Sequence, residues 1–220
     1  MLEEDFSSPN DSLQIDNVER TGTAGERIKI RLSDGSCFFA RDEDLKRLGI
    51  DPYDRGSDLH LSEATIRGLR DSSARIQAMD KALDLLARAP HSTFTLRTKL
   101  LRRKFETRVV EEILTSLLDN GYLDDAGFAE DWLRNRCERR PEGRAALLAG
   151  LLRKGIGRRL AEQVLQMYLT PELEREHALR VLEKLRRQGV MDQARLINRL
   201  KARGFAFPLI RSLLERPEEL

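Results

Sequence analysis

The sequence predicts a mainly α-helical chain: an elongated array of three tandem three-helix repeats, preceded by a small β-hairpin plus helix segment and a flexible acidic N-terminal arm. Three observations predict it. With 220 residues, 40% apolar and 35% charged, the chain can bury a core, while 5% aromatic content and abundant Leu, Ala, Arg, Lys and Glu favour helices over a β-sandwich. One apolar and basic segment recurs three times along the second half. Near residue 35, Asp-Gly stands between two apolar stretches.

Residues 1–26 hold seven carboxylates and one base, Arg20, among Ser, Asn and Gly. So few apolar groups cannot offset the entropy of ordering them, which predicts a flexible arm. In residues 27–61, Ile28, Ile30 and Leu32 alternate with Lys29 and Arg31, and Asp34-Gly35 supplies the positive-φ residues of a tight turn before Cys37, Phe38 and Phe39. A hairpin follows, then a short helix from about Asp44 to Leu48 ended by Gly49, and a loop with Pro, Asp and Gly through Ser57. Ser62 suits an N-cap for a helix running from Ile66 towards Leu86, with Gly68 and Asp71-Ser72-Ser73 as expected interruptions and Pro90 as its stop.

Beyond this point the chain repeats itself. Lys99–Phe105, Gly150–Ile156 and Arg199–Phe205 match, and their anchors Phe105, Ile156 and Phe205 are 51 and 49 residues apart. Leu96, Leu147 and Leu196 agree upstream; Val109, Leu160 and Leu209, then Ile113, Val164 and Leu213, agree downstream on one helical face. Further upstream, Ala82, Ala129 and Ala178 are aligned as the starts of the units. Gly121 suits a left-handed C-cap and Asp124 or Asp125 the next N-cap. The expected units are 62–123, 124–171 and 172–220. No such unit hides all its apolar faces alone, so neighbours should stack.

Each repeat carries bases where its second helix ends and its third begins: Arg97, Lys99, Arg102, Arg103, Lys104 and Arg108; Arg153, Lys154, Arg158 and Arg159; Arg199, Lys201, Arg203 and Arg211. Stacked units would align them into a stripe that meets phosphates or an acidic protein groove. Alternatively they are solvated faces, placed by the helix dipole. Both readings stand. Aromatic residues do not interleave with these bases, so any DNA contact should be backbone-directed and sequence-independent.

Cys37 and Cys137 have no Cys or His at metal-ligand spacing, so neither a disulfide framework nor a zinc site is implied, and a reducing cytoplasm fits. No apolar run approaches a membrane span, and no secretory signal opens the chain. His60, His91 and His177 are dispersed, and neither a phosphate loop nor a framed nucleophile appears, so no enzyme and no cofactor are expected. Asp124-Asp125 could hold Mg²⁺ in a nuclease, but a helix cap is the simpler reading. Trp132 reads as core. Tyr122 and Leu123 read either as a helix-end contact or, for Tyr122, as an interface anchor.

Gly121-Tyr122-Leu123-Asp124-Asp125 followed by Phe128-Ala129-Glu130-Asp131-Trp132-Leu133-Arg134-Asn135-Arg136 closely resembles the signature of the bacterial RecX family of recombination regulators. Ala82–Leu86, Pro90-His91-Ser92 and Leu100–Phe105 resemble that family's first repeat. The resemblance covers about residues 75–215 and implies tandem three-helix repeats and a monomer that binds the RecA recombinase and its filament. It further implies restraint of filament growth, ATP hydrolysis, strand exchange and co-protease action, without catalysis. Tyr122, Leu123, Asp124, Asp125, Phe128, Trp132, Arg134 and Arg136 are the matching motif positions, and Arg134 and Arg136 are expected to join the repeat bases in contacting the RecA filament or DNA phosphates. Arg144–Gly150 and Thr95 depart from the pattern, where relatives place more charge. The alternative is a DNA-binding regulator whose units act like helix-turn-helix modules.

Overall fold

The computed structural model describes residues 13–21, 27–51 and 61–215. Among them are three strands, β1 (Ile15–Thr21), β2 (Arg27–Leu32) and β3 (Cys37–Ala40), and ten helices. The helices are α1 (Asp42–Arg47), α2 (Glu63–Arg88), α3 (Thr93–Leu101), α4 (Thr107–Asp119), α5 (Asp125–Arg139), α6 (Arg144–Arg153), α7 (Arg158–Tyr168), α8 (Pro171–Arg187), α9 (Gln193–Ala202) and α10 (Phe207–Glu215). The chain divides into two compact units, Met1–Asp84 with Lys104–Ile113, and Leu85–Arg103 with Leu114–Leu220. The chain is mainly helical, as its composition predicts.

In the first unit the expected hairpin is the β2–β3 part of an antiparallel sheet of order β1-β2-β3. Ile28, Ile30 and Leu32 alternate onto a buried face with Ala40, Leu45 and Leu69. The arm expected over residues 1–26 is corrected at Ile15–Thr21, which form a third strand on the free edge of β2. Ile15 and Val18 pack on the same core. A register irregularity between Ile15 and Asn17 breaks the two-residue alternation, and this hides the strand from pattern reading. The rest of the expected arm, 1–12 and 22–26, and the loop at 52–57 lie outside the described residues.

The interruption expected near Gly68 and Asp71–Ser73 does not occur: α2 runs unbroken for 26 residues. Leu48 packs where a side chain at 68 would stand, the buried Ser72 hydroxyl donates to Asp44 at 2.7 Å, and Ser73 accepts from Gln77. Of the polar residues that looked like breaks, Ser72 makes a tertiary contact and Ser73 one within the helix. Ser62 caps the helix by accepting from Thr65 N–H.

In the second unit, α5–α7 and α8–α10 build two cores whose members recur at a spacing of 49. Ala129, Leu133, Leu147, Leu151, Ile156, Ala161 and Val164 answer to Ala178, Leu182, Leu196, Leu200, Phe205, Ile210 and Leu213. The alignment of Ala82 with Ala129 is one helical turn out. Four residues separate α2 from α3, as they do α5 from α6, so a constant offset of 51 pairs Ala78 with Ala129 and Ala82 with Leu133. A helical face repeats about every turn, so the apolar pattern matched equally well at either register.

The turn after each second helix carries a left-handed residue: Lys104 (φ 65°), Gly155 (φ 79°) and Gly204 (φ 83°). At Gly155 any Cβ would also collide with Phe94, and at Gly204 with Ala146. Gly155→Ala and Gly204→Ala should therefore each destabilise the fold by roughly 2–4 kcal/mol, from the left-handed backbone and overpacking together. Lys104→Gly should instead be neutral or stabilising by up to about 1 kcal/mol. Urea unfolding of the three variants measures both.

Candidate partner-binding surface

Within the second unit, the start of one second helix meets the end of another. Ser92, the N-cap of α3, donates its hydroxyl to the carbonyl of Lys154 at 2.6 Å, beyond the last residue of α6. Fifty-one residues on, Gly143 at the N-cap of α6 donates its N–H to the carbonyl of Arg203 at 2.9 Å, beyond the last residue of α9, and Ala145 N–H donates to Gly204 at 3.2 Å. A carboxylate from the following first helix completes each contact: Asp125 accepts from Thr93 N–H and Glu174 from Arg144 N–H, both at 2.8 Å. Donors at one helix start, a hydroxyl at α3 and N–H groups at α6, thus meet unpaired carbonyls at another helix end. The two junctions are equivalent, and α9, α6 and α3 succeed one another end on.

The basic residues belong to these ends. Arg102, Arg103, Arg153, Lys154, Arg158, Arg159, Arg199 and Lys201 are exposed, whereas Arg97, Lys99 and Arg203 are half-buried. Arg153 and Lys154 stand at the α3/α6 junction, and Arg199, Lys201 and Arg203 at the α6/α9 junction. A ten-residue helix of about 15 Å separates the two groups. Arg102, Arg153, Lys154, Arg159 and Arg199 have no acidic partner among the described residues. Others are engaged. Lys99 Nζ lies 2.6 Å from His91 Nε2, while His91 Nδ1 lies 2.6 Å from the Ala89 carbonyl, so Nδ1 donates and Nε2 accepts. Arg158 pairs with Glu162 and Arg211 with Glu215, and Lys201 stacks on Phe207 at 4.7 Å. Lys104 and Arg108 belong to the first unit, where Arg108 pairs with Asp71 at 3.0 Å.

Comparison with known proteins fixes the family. The first three-helix domain of RecX matches residues 78–117 and the second matches 124–165. The regulatory protein RecX of Treponema pallidum is 43% identical over 133 residues, 60% of this chain and 80% of that one. Those of Thermus thermophilus and Chlorobium limicola are 38% and 30% identical, covering 84% and 89% of their own lengths. The chain belongs to the RecX family. A crystal structure of regulatory protein RecX, 22% identical, has the same fold with a TM-score of 0.73 over 93% of this chain and all of that one. That of RecX from Lactobacillus salivarius, 23% identical, has a TM-score of 0.59 over 64% of this chain. The RecX proteins are regulatory proteins rather than enzymes.

The RecX motif residues serve mainly the fold. Gly121 takes a left-handed φ of 72°, Leu123 is buried beyond it, and Tyr122 is 62% exposed. Asp124 caps α5 by accepting from Ala126 N–H at 2.9 Å, and Asp125 caps α3. Phe128 and Trp132 pack on the core of α5–α7. The unexpected Gly150 has a reason, for Trp132 occupies the space of its missing side chain. Arg134 pairs at the surface with Asp131, but Arg136 grips Glu142 through two hydrogen bonds of 2.9 and 3.0 Å. That hydrogen bonding raises the Arg136 guanidinium above its usual range. Reading the sequence missed Glu142, a 5% exposed carboxylate held also by Arg140 at 3.2 Å. Asp125 and Glu174 were detectable as carboxylates 49 residues apart.

On α8, burial pushes the imidazole of His177 below its ordinary value; Arg180 adds to this, while the Glu142 carbonyl and the Glu176 and Glu174 carboxylates oppose it. The unfolded chain then binds the proton first, so His177 contributes stability present above its unfolded value near 6.5 and lost as the pH falls below it. Thermal midpoints should drop between pH 7.5 and 5.5, and His177→Gln should flatten that drop. Arg136→Ala should cost about 1–3 kcal/mol by leaving the buried Glu142 carboxylate short of a partner. Arg134→Ala should stay within about 0.5 kcal/mol in the same unfolding measurement.

Proposed function

We propose that this chain is a cytoplasmic, monomeric, non-catalytic regulator that binds the RecA recombinase in its nucleoprotein filament. It restrains filament growth, ATP hydrolysis, strand exchange and co-protease action. The contacts are the bases at the ends of the second helices, Arg102 and Arg103, Arg153 and Lys154, and Arg199, Lys201 and Arg203. They meet acidic protein surface and, without reading sequence, DNA phosphates. One observation carries this reading: equivalent junctions repeat the position of the basic corner from α6 to α9, with several cations exposed and lacking an acidic partner among the described residues. Family membership directs the reading to RecA. Such a binder shifts the filament only by its differential affinity for the extended and the disassembling states.

RecA-dependent ATP hydrolysis on single-stranded DNA should slow at substoichiometric amounts of the chain, and the chain should co-sediment with filaments. Absence of both rejects the reading. Reversing charge at Arg102, Arg103, Arg153 and Lys154 together should weaken inhibition at least ten-fold with unchanged helicity by circular dichroism. Unaltered inhibition rejects these bases as the contact.

A further inference from the structure

The helices α6 and α7 are joined by four residues, Lys154–Gly157, with left-handed Gly155 in the turn. Two helices joined by such a short glycine-bearing turn are the framework that holds a reading helix in the major groove of DNA. The inner side of α7, with Ala161, Val164 and Leu165, is buried in the core of its own repeat. Its outer side presents Arg158, Arg159, Glu162, Gln163, Gln166 and Met167, all exposed. Arg159, Gln163 and Gln166 fall at relative positions 0, 4 and 7, one line along the helix.

The other two third helices are an internal comparison. The exposed residues of α4 include Glu112 and Asp119, and its Arg108 is engaged by Asp71 and Glu112. On α10, Phe207 and Pro208 are exposed, and Arg211 is engaged by Glu215. Of the three, α7 alone combines a free guanidinium with two exposed carboxamides. Arg153 and Lys154 in the preceding turn also lack an acidic partner among the described residues, whereas Arg158 is tied to Glu162 at 3.2 Å.

We infer that α7 is a duplex-reading helix, with Arg159, Gln163 and Gln166 on base edges in the major groove and Arg153 and Lys154 on the flanking phosphates. A glutamine carboxamide can donate to and accept from adenine N6 and N7 at once, and an arginine can give two hydrogen bonds to guanine O6 and N7. Eleven residues of helix extend about 16 Å, and the groove is about 12 Å wide, which admits a single helix. Duplex is favoured over a single strand because α7 exposes no aromatic ring on which an unpaired base could stack. This site is independent of RecA and adds sequence preference to what the basic corners alone would leave unspecific.

The test uses the full chain without RecA. A pool of randomised duplexes is taken through rounds of filter retention, and the enriched sequence, an unrelated duplex and the matching single strand are titrated by fluorescence anisotropy at several salt concentrations. An enriched sequence should emerge. The double variant Gln163→Ala with Gln166→Ala should lose affinity for it about five-fold or more while binding the unrelated duplex as before. Arg153→Ala with Lys154→Ala should weaken both duplexes and reduce the slope of log K against log salt by about 2. No enrichment, equal binding by the glutamine variant, or tighter binding of the single strand overturns the inference. Inhibition of RecA by the glutamine variant is measured in parallel, so that loss of one reading does not count for or against the other.

Discussion

The meeting of one helix start with another helix end is the constraint on which the second unit depends. A helix leaves four N–H groups unpaired at its start and four carbonyls at its end, and either set is costly to bury alone. At the α6/α9 junction these groups satisfy each other directly, at the α3/α6 junction the Ser92 hydroxyl satisfies the carbonyl, and at both a carboxylate from the next first helix accepts from a remaining N–H. Residue identities follow from this geometry. Gly143 has no side chain with which to cap α6, and the Arg203 and Gly204 carbonyls and the Glu174 carboxylate supply the acceptors. Gly155 and Gly204 stand where the adjoining helix start leaves no room for a Cβ, whereas Lys104, in the same backbone conformation, keeps a side chain and a charge.

The same geometry determines where cations accumulate. The carbonyl end of each second helix favours Lys and Arg, which explains why bases stand there at all. The dipole accounts for position, yet it does not require that Arg102, Arg153, Lys154 and Arg199 remain exposed without carboxylate partners among the described residues. Where a base has a structural task the structure gives it a partner, as Arg136 has Glu142 and Arg108 has Asp71. Sorting the bases in this way separates those with a carboxylate partner from those without one among the described residues.

Much of the architecture was legible because it repeats. The anchors Leu147 and Leu196, or Ile156 and Phe205, announce the same core position twice, and the Asp34-Gly35 turn fixes the β2–β3 register locally. What escaped depended on contacts between residues far apart in sequence. β1 was lost because its register irregularity breaks alternation, and the continuity of α2 because Ser72 serves Asp44 and not a helix end. Glu142 was invisible for the same reason, since burial with Arg136 and Arg140 is a tertiary fact and its local sequence is an ordinary Pro-Glu-Gly loop. Of the surface, the sequence marked where the bases stand along the helices. It could not divide them, because Arg134 and Arg136 look alike until their partners are known.

The signature by which the family is recognised is therefore not the same set of residues as the exposed bases at the second-helix ends. Asp124 and Asp125 are occupied with backbone N–H groups, Leu123, Phe128 and Trp132 with the core, and Arg136 with Glu142. Asp125 builds a junction and the others hold the middle repeat together, so these residues serve the fold. Arg159, Gln163 and Gln166 on the outward side of α7, and Arg102, Arg153, Lys154 and Arg199 at the second-helix ends, are exposed and under no such demand, so they can change with little loss of packing. Specificity among chains of this architecture belongs on those outward sides, where Arg159, Gln163 and Gln166 distinguish the middle repeat from the repeats on either side of it.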